Sequence, residues 1–161
     1  MFSFYTMGMN WIDMAMLKVA NIENGRINYK RAKTGKDYTV GITKSAQRIL
    51  NYYLKGKEPA DYVFDIVTRD HDPQLLRRDI QYHMKAVNKN LKALAKNLKI
   101  KGNITTYVAR HTWATLALRG NVKIGVISEG LGHRDIKTTQ TYLAKFGSEE
   151  LDKANEMITD L

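Results

Sequence analysis

The sequence predicts a mainly α fold that carries a small antiparallel β-sheet (α+β). Three observations carry this expectation. Between residues 74 and 101, Leu76, Ile80, Met84, Val87, Leu91, Leu94 and Leu98 recur at spacings of three and four, the period of one helix face. Between residues 22 and 42, apolar and polar residues alternate on either side of two turn signals, Asn24-Gly25 and Thr34-Gly35, as half-buried strands do. From Thr105 onward, Gly120 and Gly132 punctuate short stretches of helical pattern.

Taken in order, residues 9–18 set Met9, Ile12, Met14, Met16 and Leu17 around Asn10, Asp13 and Lys18, a mostly buried helix that gives way at Asn21. The opening MFSFYTMGMNWIDMAML lacks a basic start and holds Asp13 within its apolar run, unlike a signal peptide or a membrane span. From its abrupt apolar beginning, the chain is expected to be cut from a longer protein with an upstream domain. Residues 26–31 place Ile27 and Tyr29 on one strand face and residues 38–42 alternate again, so Lys33 falls at the hairpin. Thr43 is the expected N-cap of a helix with Ala46, Ile49, Leu50, Tyr53 and Leu54 inward, ending at Gly56. Pro59 opens a loop, Tyr62, Val63 and Phe64 form a short apolar patch, and residues 70–73 break the chain before the long helix. That helix, with its apolar face expected to be buried throughout, also carries eight Lys or Arg against one acid, Asp79. Three short helices are expected at about 111–119, 122–131 and 135–145. Ser148 caps a last one, whose Leu151, Ala154, Met157, Ile158 and Leu161 form an apolar edge in need of a partner. With no repeat, low-complexity tract or linker, residues 1–161 read as one domain.

The chain has 161 residues, 43% of them hydrophobic and 26% charged, enough for one real core. Lys and Arg number 26 against 16 acids, giving a net charge of +10 and a pI near 9.7, so a polyanionic partner is the first hypothesis. Nucleic acid leads, although such a balance also fits ribosomal proteins, membrane-surface binders and plain solubility. The absence of Cys excludes disulfides, thiolate chemistry and cysteine-based zinc sites, and suits a reducing cytosol. His71, His83, His111 and His133 show no metal-ligand spacing, and no metal site is expected.

The chemistry-bearing pattern is a spaced set: Arg110-His111-Thr112-Trp113-Ala114-Thr115, then Leu131-Gly132-His133, then Thr138-Thr139-Gln140-Thr141-Tyr142, with the Tyr nine residues beyond the His. Taken singly, Tyr142 reads as a half-buried helix tyrosine, His111 as a packed or capping residue and Trp113 as core. Jointly, in this order and spacing, they resemble the carboxy-terminal signature of the tyrosine recombinases (phage integrases). The resemblance runs from the opening helix to the helix after Tyr142. It implies the DNA breaking-rejoining catalytic fold, with double-stranded DNA as partner and no metal or nucleotide cofactor. It also implies an amino-terminal DNA-clamping domain that is not part of these residues. Tyr142 would be the nucleophile; a phenol with pKa near 10 needs cations around the phosphate and a nearby proton acceptor. Arg110 would hold two phosphate oxygens with its planar fork, and His133 would hydrogen-bond another. Lys33 on the hairpin, with Lys36 as substitute, would protonate the departing 5' hydroxyl. Lys36, His111, Arg134, Lys85, Lys89 and Lys92 are the expected DNA contacts, and His111 and Trp113 also read as support beside Arg110. The helix after the nucleophile is expected to dock on a neighbouring protomer, giving self-association on DNA.

Two positions depart from the family pattern. Tyr107 stands where a His is usual, three residues before Arg110; a phenol still donates a hydrogen bond but is a poorer proton acceptor than imidazole. Asn10 stands three residues before Asp13, where the family has its first Arg. Arg26 or Arg31 from the sheet, or a cation from another subunit, are the candidates to replace it. The expected function is site-specific recombination in integration and excision of a mobile element. The alternatives are a catalytically impaired DNA-binding module with an architectural or regulatory role, and a topoisomerase-like nicking and resealing enzyme.

Overall fold

The computed structural model of the chain describes residues 1–67 and 72–143, with Tyr142 and Leu143 described by backbone alone. The chain divides into two compact units, Met1–Trp113 and Ala114–Leu161.

The first unit opens with α1 (Phe2–Tyr5) and α2 (Trp11–Ala15), followed by a 3-10 turn, Val19–Asn21. The expected single helix over residues 9–18 is thus only one short helix. Met7 (φ 55) and Gly8 (φ 73) take left-handed conformations ahead of it and turn the chain sharply. Strands β1 (Ile22–Glu23), β2 (Arg26–Lys30) and β3 (Asp37–Gly41) form an antiparallel sheet in that order. Glu23 pairs with Arg26 across a two-residue loop whose members, Asn24 (φ 51) and Gly25 (φ 71), both have the positive φ that a tight hairpin requires. In the next pair Ile27 faces Val40, and both are buried, so the alternation read from the sequence does mark the core face.

Helix α3 (Lys44–Tyr53) is capped as expected: Thr43 Oγ1 accepts from the Ala46 N–H at 3.2 Å. The patch at residues 62–64 works as an extra edge. Val63 N–H donates to Leu17 C=O at 2.8 Å, and Val63 and Phe64 are buried, Phe64 edge-on to Phe2 and to Tyr53. Asp72 caps α4 (Pro73–Asn97), accepting from the Gln74 N–H at 2.7 Å, and Pro73 occupies the first helical position, where its missing N–H costs nothing. The core, built around Phe2, Leu17, Ile27, Leu50, Val63 and Phe64, reaches α4 through Ile80 and Leu76. Burial therefore fades along the helix. Leu94 and Leu98, expected inside, are 54% and 60% exposed, and Ala95 takes the inward position instead. The apolar face is continuous in sequence but covered along only part of its length.

Helix α5 (Val108–Arg119) starts three residues earlier than expected, which makes Arg110 part of its first turn; the boundary between the units falls within it. In the second unit, α6 (Ile124–Leu131) buries Ile127 and Leu131 and ends in a left-handed cap at Gly132 (φ 67), where the His133 N–H donates to Ser128 C=O at 3.0 Å. Asp135 Oδ1 then accepts from the Lys137 N–H at 2.9 Å and starts α7 (Ile136–Leu143). The expected helix after Ser148 and its edge at residues 151–161 lie outside the described residues. Among the described residues no helix is long and apolar enough to cross a membrane.

Candidate active site

A cavity of about 480 Å³ in the first unit is lined by Asn10, Lys33, Arg77, Tyr107 and Arg110, together with apolar residues of α2 and α4. Four chain segments that are distant in sequence converge on it, and each is fastened by a specific bond. Trp11 Nε1 donates to Ile80 C=O at 3.1 Å and ties α2 to α4. Asp13 Oδ1 accepts from the Ala32 N–H at 2.9 Å, which staples the β2–β3 turn to α2. Within that turn the Arg31 N–H donates to Lys36 C=O and the Gly35 N–H to Arg31 C=O, at 2.9 and 2.8 Å, leaving Lys33 exposed at the tip. Asn88 Oδ1 accepts from the Thr106 N–H at 2.7 Å, fixing on α4 the segment that presents Tyr107.

Arg110 is 4% exposed and its Nη1 donates to Gly8 C=O at 3.0 Å. A Cβ on Gly8 would lie 2.8 Å from Arg110 Cγ and 2.9 Å from its Cα, so glycine is required both by its φ and by this approach. The left-handed turn before α2 thereby becomes the bed of the arginine. Tyr107 is 47% exposed and stands edge-on to the His111 ring, with 4.7 Å between centroids.

Behind the cavity lies a buried charge cluster. Asp13 is 4% exposed, and burial raises its pKa above the usual carboxylate range, opposed by the Ala32 N–H, then by Arg31, Arg110 and Asn10. Arg31 is 7% exposed. Tyr29 has its pKa raised, first by burial and then by the Asp13 charge, while Arg31 and Arg110 again act the other way. Of the two arginines considered for the missing cation, Arg31 is thus buried beside Asp13, whereas Arg26 is exposed at the far end of β2. In the sequence Asp13 stands out as an acid within an apolar run and as the marker of Asn10, with no site role of its own, and Arg77 is one of eight basic residues of the long helix. The signal for Asp13 was present, since an acid within an apolar helix face calls for a buried partner.

In the second unit His133 Nδ1 is hydrogen-bonded to Thr139 Oγ1 at 2.7 Å, and Thr139 is fully buried. That bond fixes the ring and leaves Nε2 as its other functional nitrogen. Tyr142 lies on α7 three residues beyond Thr139, and its side chain is outside the described residues. Arg134 is exposed, as are Lys85, Lys89 and Lys92, whose spacing of four and three puts them on one stripe of α4; Lys36 lies over the Tyr38 ring, 5.6 Å from its centroid. Among the described residues no group of three or more His, Asp or Glu is gathered as a metal site.

A helical chain with a three-stranded antiparallel sheet and this arrangement is the fold of the DNA recombinases. The crystal structure of a XerA recombinase matches it with a TM-score of 0.67 at 24% identity, over 96% of this chain and 55% of that one. A Tn1549 transposon integrase, solved in complex with a circular intermediate DNA, matches with a TM-score of 0.70 at 13% identity, over 99% of this chain and 56% of that one. The chain belongs to the phage integrase family, whose model matches residues 3–149. Among its relatives, the tyrosine recombinase XerA of Saccharolobus solfataricus is 32% identical over 128 residues, 79% of this chain. XerA of Pyrococcus horikoshii is 29% identical over 163 residues, 98% of this chain. The chain spans 38% of the first relative's length and 54% of the second's.

Proposed function

We propose that residues 1–161 form the catalytic domain of a site-specific tyrosine recombinase that breaks and rejoins double-stranded DNA in the cytoplasm, in integration and excision of a mobile element. The observation that carries the reading is the cavity shared by Lys33, Tyr107 and Arg110, which brings the hairpin lysine together with the segment around the second arginine, two parts of the family pattern more than 70 residues apart.

In the proposed reaction Tyr142 Oη attacks the scissile phosphorus, the P–O5' bond breaks, and a 3'-phosphotyrosine forms. The phenolic proton passes to a basic group or water, and Lys33 delivers a proton to the leaving 5' oxygen. Lys33 is exposed at a turn tip and lines the cavity, and the turn that carries it is tied to α2 through Ala32 and Asp13. Arg110, already held on Gly8, spends little reorganisation in meeting the charge that builds on the phosphate oxygens. Tyr107 donates to one of those oxygens, and His133 to another through Nε2, its Nδ1 being occupied by Thr139. Attack by a 5' hydroxyl of a second strand reverses the step; the phosphodiester energy is stored in the covalent bond, so the cycle needs neither nucleotide nor metal. Lys36, His111, Arg134, Lys85, Lys89 and Lys92 contact the DNA, and residues 151–161 join protomers on it.

The test is covalent trapping. The protein is incubated with a pool of nicked duplexes of random sequence, in which the short downstream fragment released with a free 5' hydroxyl diffuses away, and DNA that stays on protein under denaturing conditions is sequenced. Wild type should enrich a site and Tyr142→Phe should trap nothing. Site-selective binding without trapping would instead support the architectural reading, which Asn10 favours because an uncharged residue stands where the family has its first Arg.

A further inference from the structure

Of the threonines of α7, Thr138 and Thr141 are exposed and Thr139 is fully buried. A hydroxyl taken wholly out of water must place its O–H proton on an acceptor inside the protein, because a buried donor left unsatisfied costs free energy. Among the described residues Thr139 Oγ1 has one hydrogen-bond partner, His133 Nδ1, at 2.7 Å. From this arrangement we infer that Thr139 is a positioning residue that sets the proton on the His133 ring. Its hydroxyl donates to Nδ1, so the neutral ring carries its own proton on Nε2. His133 then serves the scissile phosphate as a hydrogen-bond donor and is not the base that takes the phenolic proton of Tyr142; this role rests on the recombinase reading above.

The direction of the bond follows from what each group can do. A hydroxyl both donates and accepts, whereas each nitrogen of a neutral imidazole does only one of the two. If Nδ1–H donated to Oγ1, the hydroxyl proton would be sealed in without an acceptor; with the hydroxyl donating, both groups are satisfied. An imidazole oriented by a carboxylate or a backbone carbonyl is in the opposite case. Those oxygens only accept, so they hold the ring proton on Nδ1 and leave Nε2 with a lone pair for base chemistry. The threonine therefore decides between the two roles open to a histidine beside a phosphate. The backbone holds the pair in register. After the left-handed Gly132 (φ 67) the His133 N–H donates to Ser128 C=O at 3.0 Å, and Asp135 Oδ1 accepts from the Lys137 N–H at 2.9 Å. The segment between α6 and α7 is thus fastened at both ends, and the first turn of α7 brings the buried hydroxyl to the half-buried ring.

The experiment has a spectroscopic and a kinetic arm. Proton–nitrogen correlation spectra of the histidine rings are recorded on the isotope-labelled full chain where the rings are neutral, and His133 is assigned by the signals that vanish in His133→Gln. They should show Nε2 protonated and Nδ1 bare; a neutral ring protonated on Nδ1 overturns the inference. In the kinetic arm, adduct formation is timed on the site selected by trapping. Thr139→Val keeps the shape and removes the hydroxyl, and should slow the adduct about 10- to 100-fold, the order found when the partner that orients an imidazole is lost. Thr139→Ser, which keeps the hydroxyl, should stay within a few-fold of wild type. In a His133→Gln background Thr139→Val should change the rate by no more than about twofold, because the hydroxyl acts only through the ring. A loss that persists in full in that background makes the threonine merely structural and overturns the inference, as does a wild-type rate in Thr139→Val. If Thr139→Val does not fold, or His133→Gln is too slow to time, the ring spectrum and Thr139→Ser decide. A wild-type chain that forms no adduct sinks the recombinase reading, while the ring spectrum still tests the direction of the bond, so the two failures are told apart.

Discussion

Gly8 and Asp13 show how single residues set the geometry of the site. Gly8 combines a φ of 73° with an approach to Arg110 that leaves no room for a Cβ. Gly8→Ala should therefore destabilise the first unit by roughly 1–3 kcal/mol through backbone strain and displacement of Arg110, as read by urea unfolding. It should also slow the adduct by moving the guanidinium. Asp13 gives a pH signature. Its folded pKa lies above the ordinary 3.8, so the folded chain binds this proton more tightly than the unfolded chain does. The stability this contributes is complete below 3.8 and is lost as pH rises through the folded pKa. Wild type should accordingly lose stability relative to Asp13→Asn as pH rises from about 4, measured as the difference in Tm between the two across a pH series. A flat difference would mean that burial does not control this carboxyl. The importance of Asp13 was only half legible in the sequence: its position inside an apolar run was visible, but that Ala32, Arg31 and Arg110 surround it was not, because those partners come from 18 or more residues away.

Helix α4 shows what periodicity does and does not reveal about an element. The spacing of Leu76 to Leu98 located the helix, and Asp72 with Pro73 started it where a cap and a first-turn proline should. The same spacing implied burial along the whole face, yet a periodic pattern reports only which residues share a side. Whether that side is covered depends on what lies opposite, and the core meets α4 mainly at its first half. Ile80→Ala should thus cost about 2–5 kcal/mol, the range for emptying a packed core position. Leu94→Ala, at a position 54% exposed, should cost less than about 0.5 kcal/mol. Parallel chemical denaturation of the two variants checks both. The sheet was better legible, because the two-residue Asn24-Gly25 turn fixes the β1–β2 register locally, and strict alternation along β2 and β3 puts Ile27 and Val40, which pair, on the core face.

At the scale of the whole molecule, a net charge of +10 would make the proposed association with DNA an electrostatic process that salt weakens. Lys85, Lys89 and Lys92 form one exposed stripe on α4 and are proposed to meet the backbone. Replacing all three by Ala should weaken binding across sequences and make the slope of log affinity against log salt shallower by roughly 0.9 for each phosphate no longer neutralised. Fluorescence anisotropy titrations at four or five salt concentrations read that slope. Unfolding should be unchanged within about 0.5 kcal/mol, since surface substitutions of this kind leave the core alone. An unchanged slope would move the DNA path to another face.

The sequence by itself determined the helical and strand periods, the turn at Asn24-Gly25 and the cap at Thr43, each written within a few residues, and the signature spaced over residues 110–142, which is read by order and spacing alone. Only the tertiary structure decided that Asn10, Lys33, Tyr107 and Arg110 share a cavity, that Arg110 rests on Gly8, and that Arg31 and not Arg26 stands beside Asp13. Local propensity and pattern act through neighbours in the chain, whereas charge balance and close packing act through space, and the second set of distances exists only once the chain has folded.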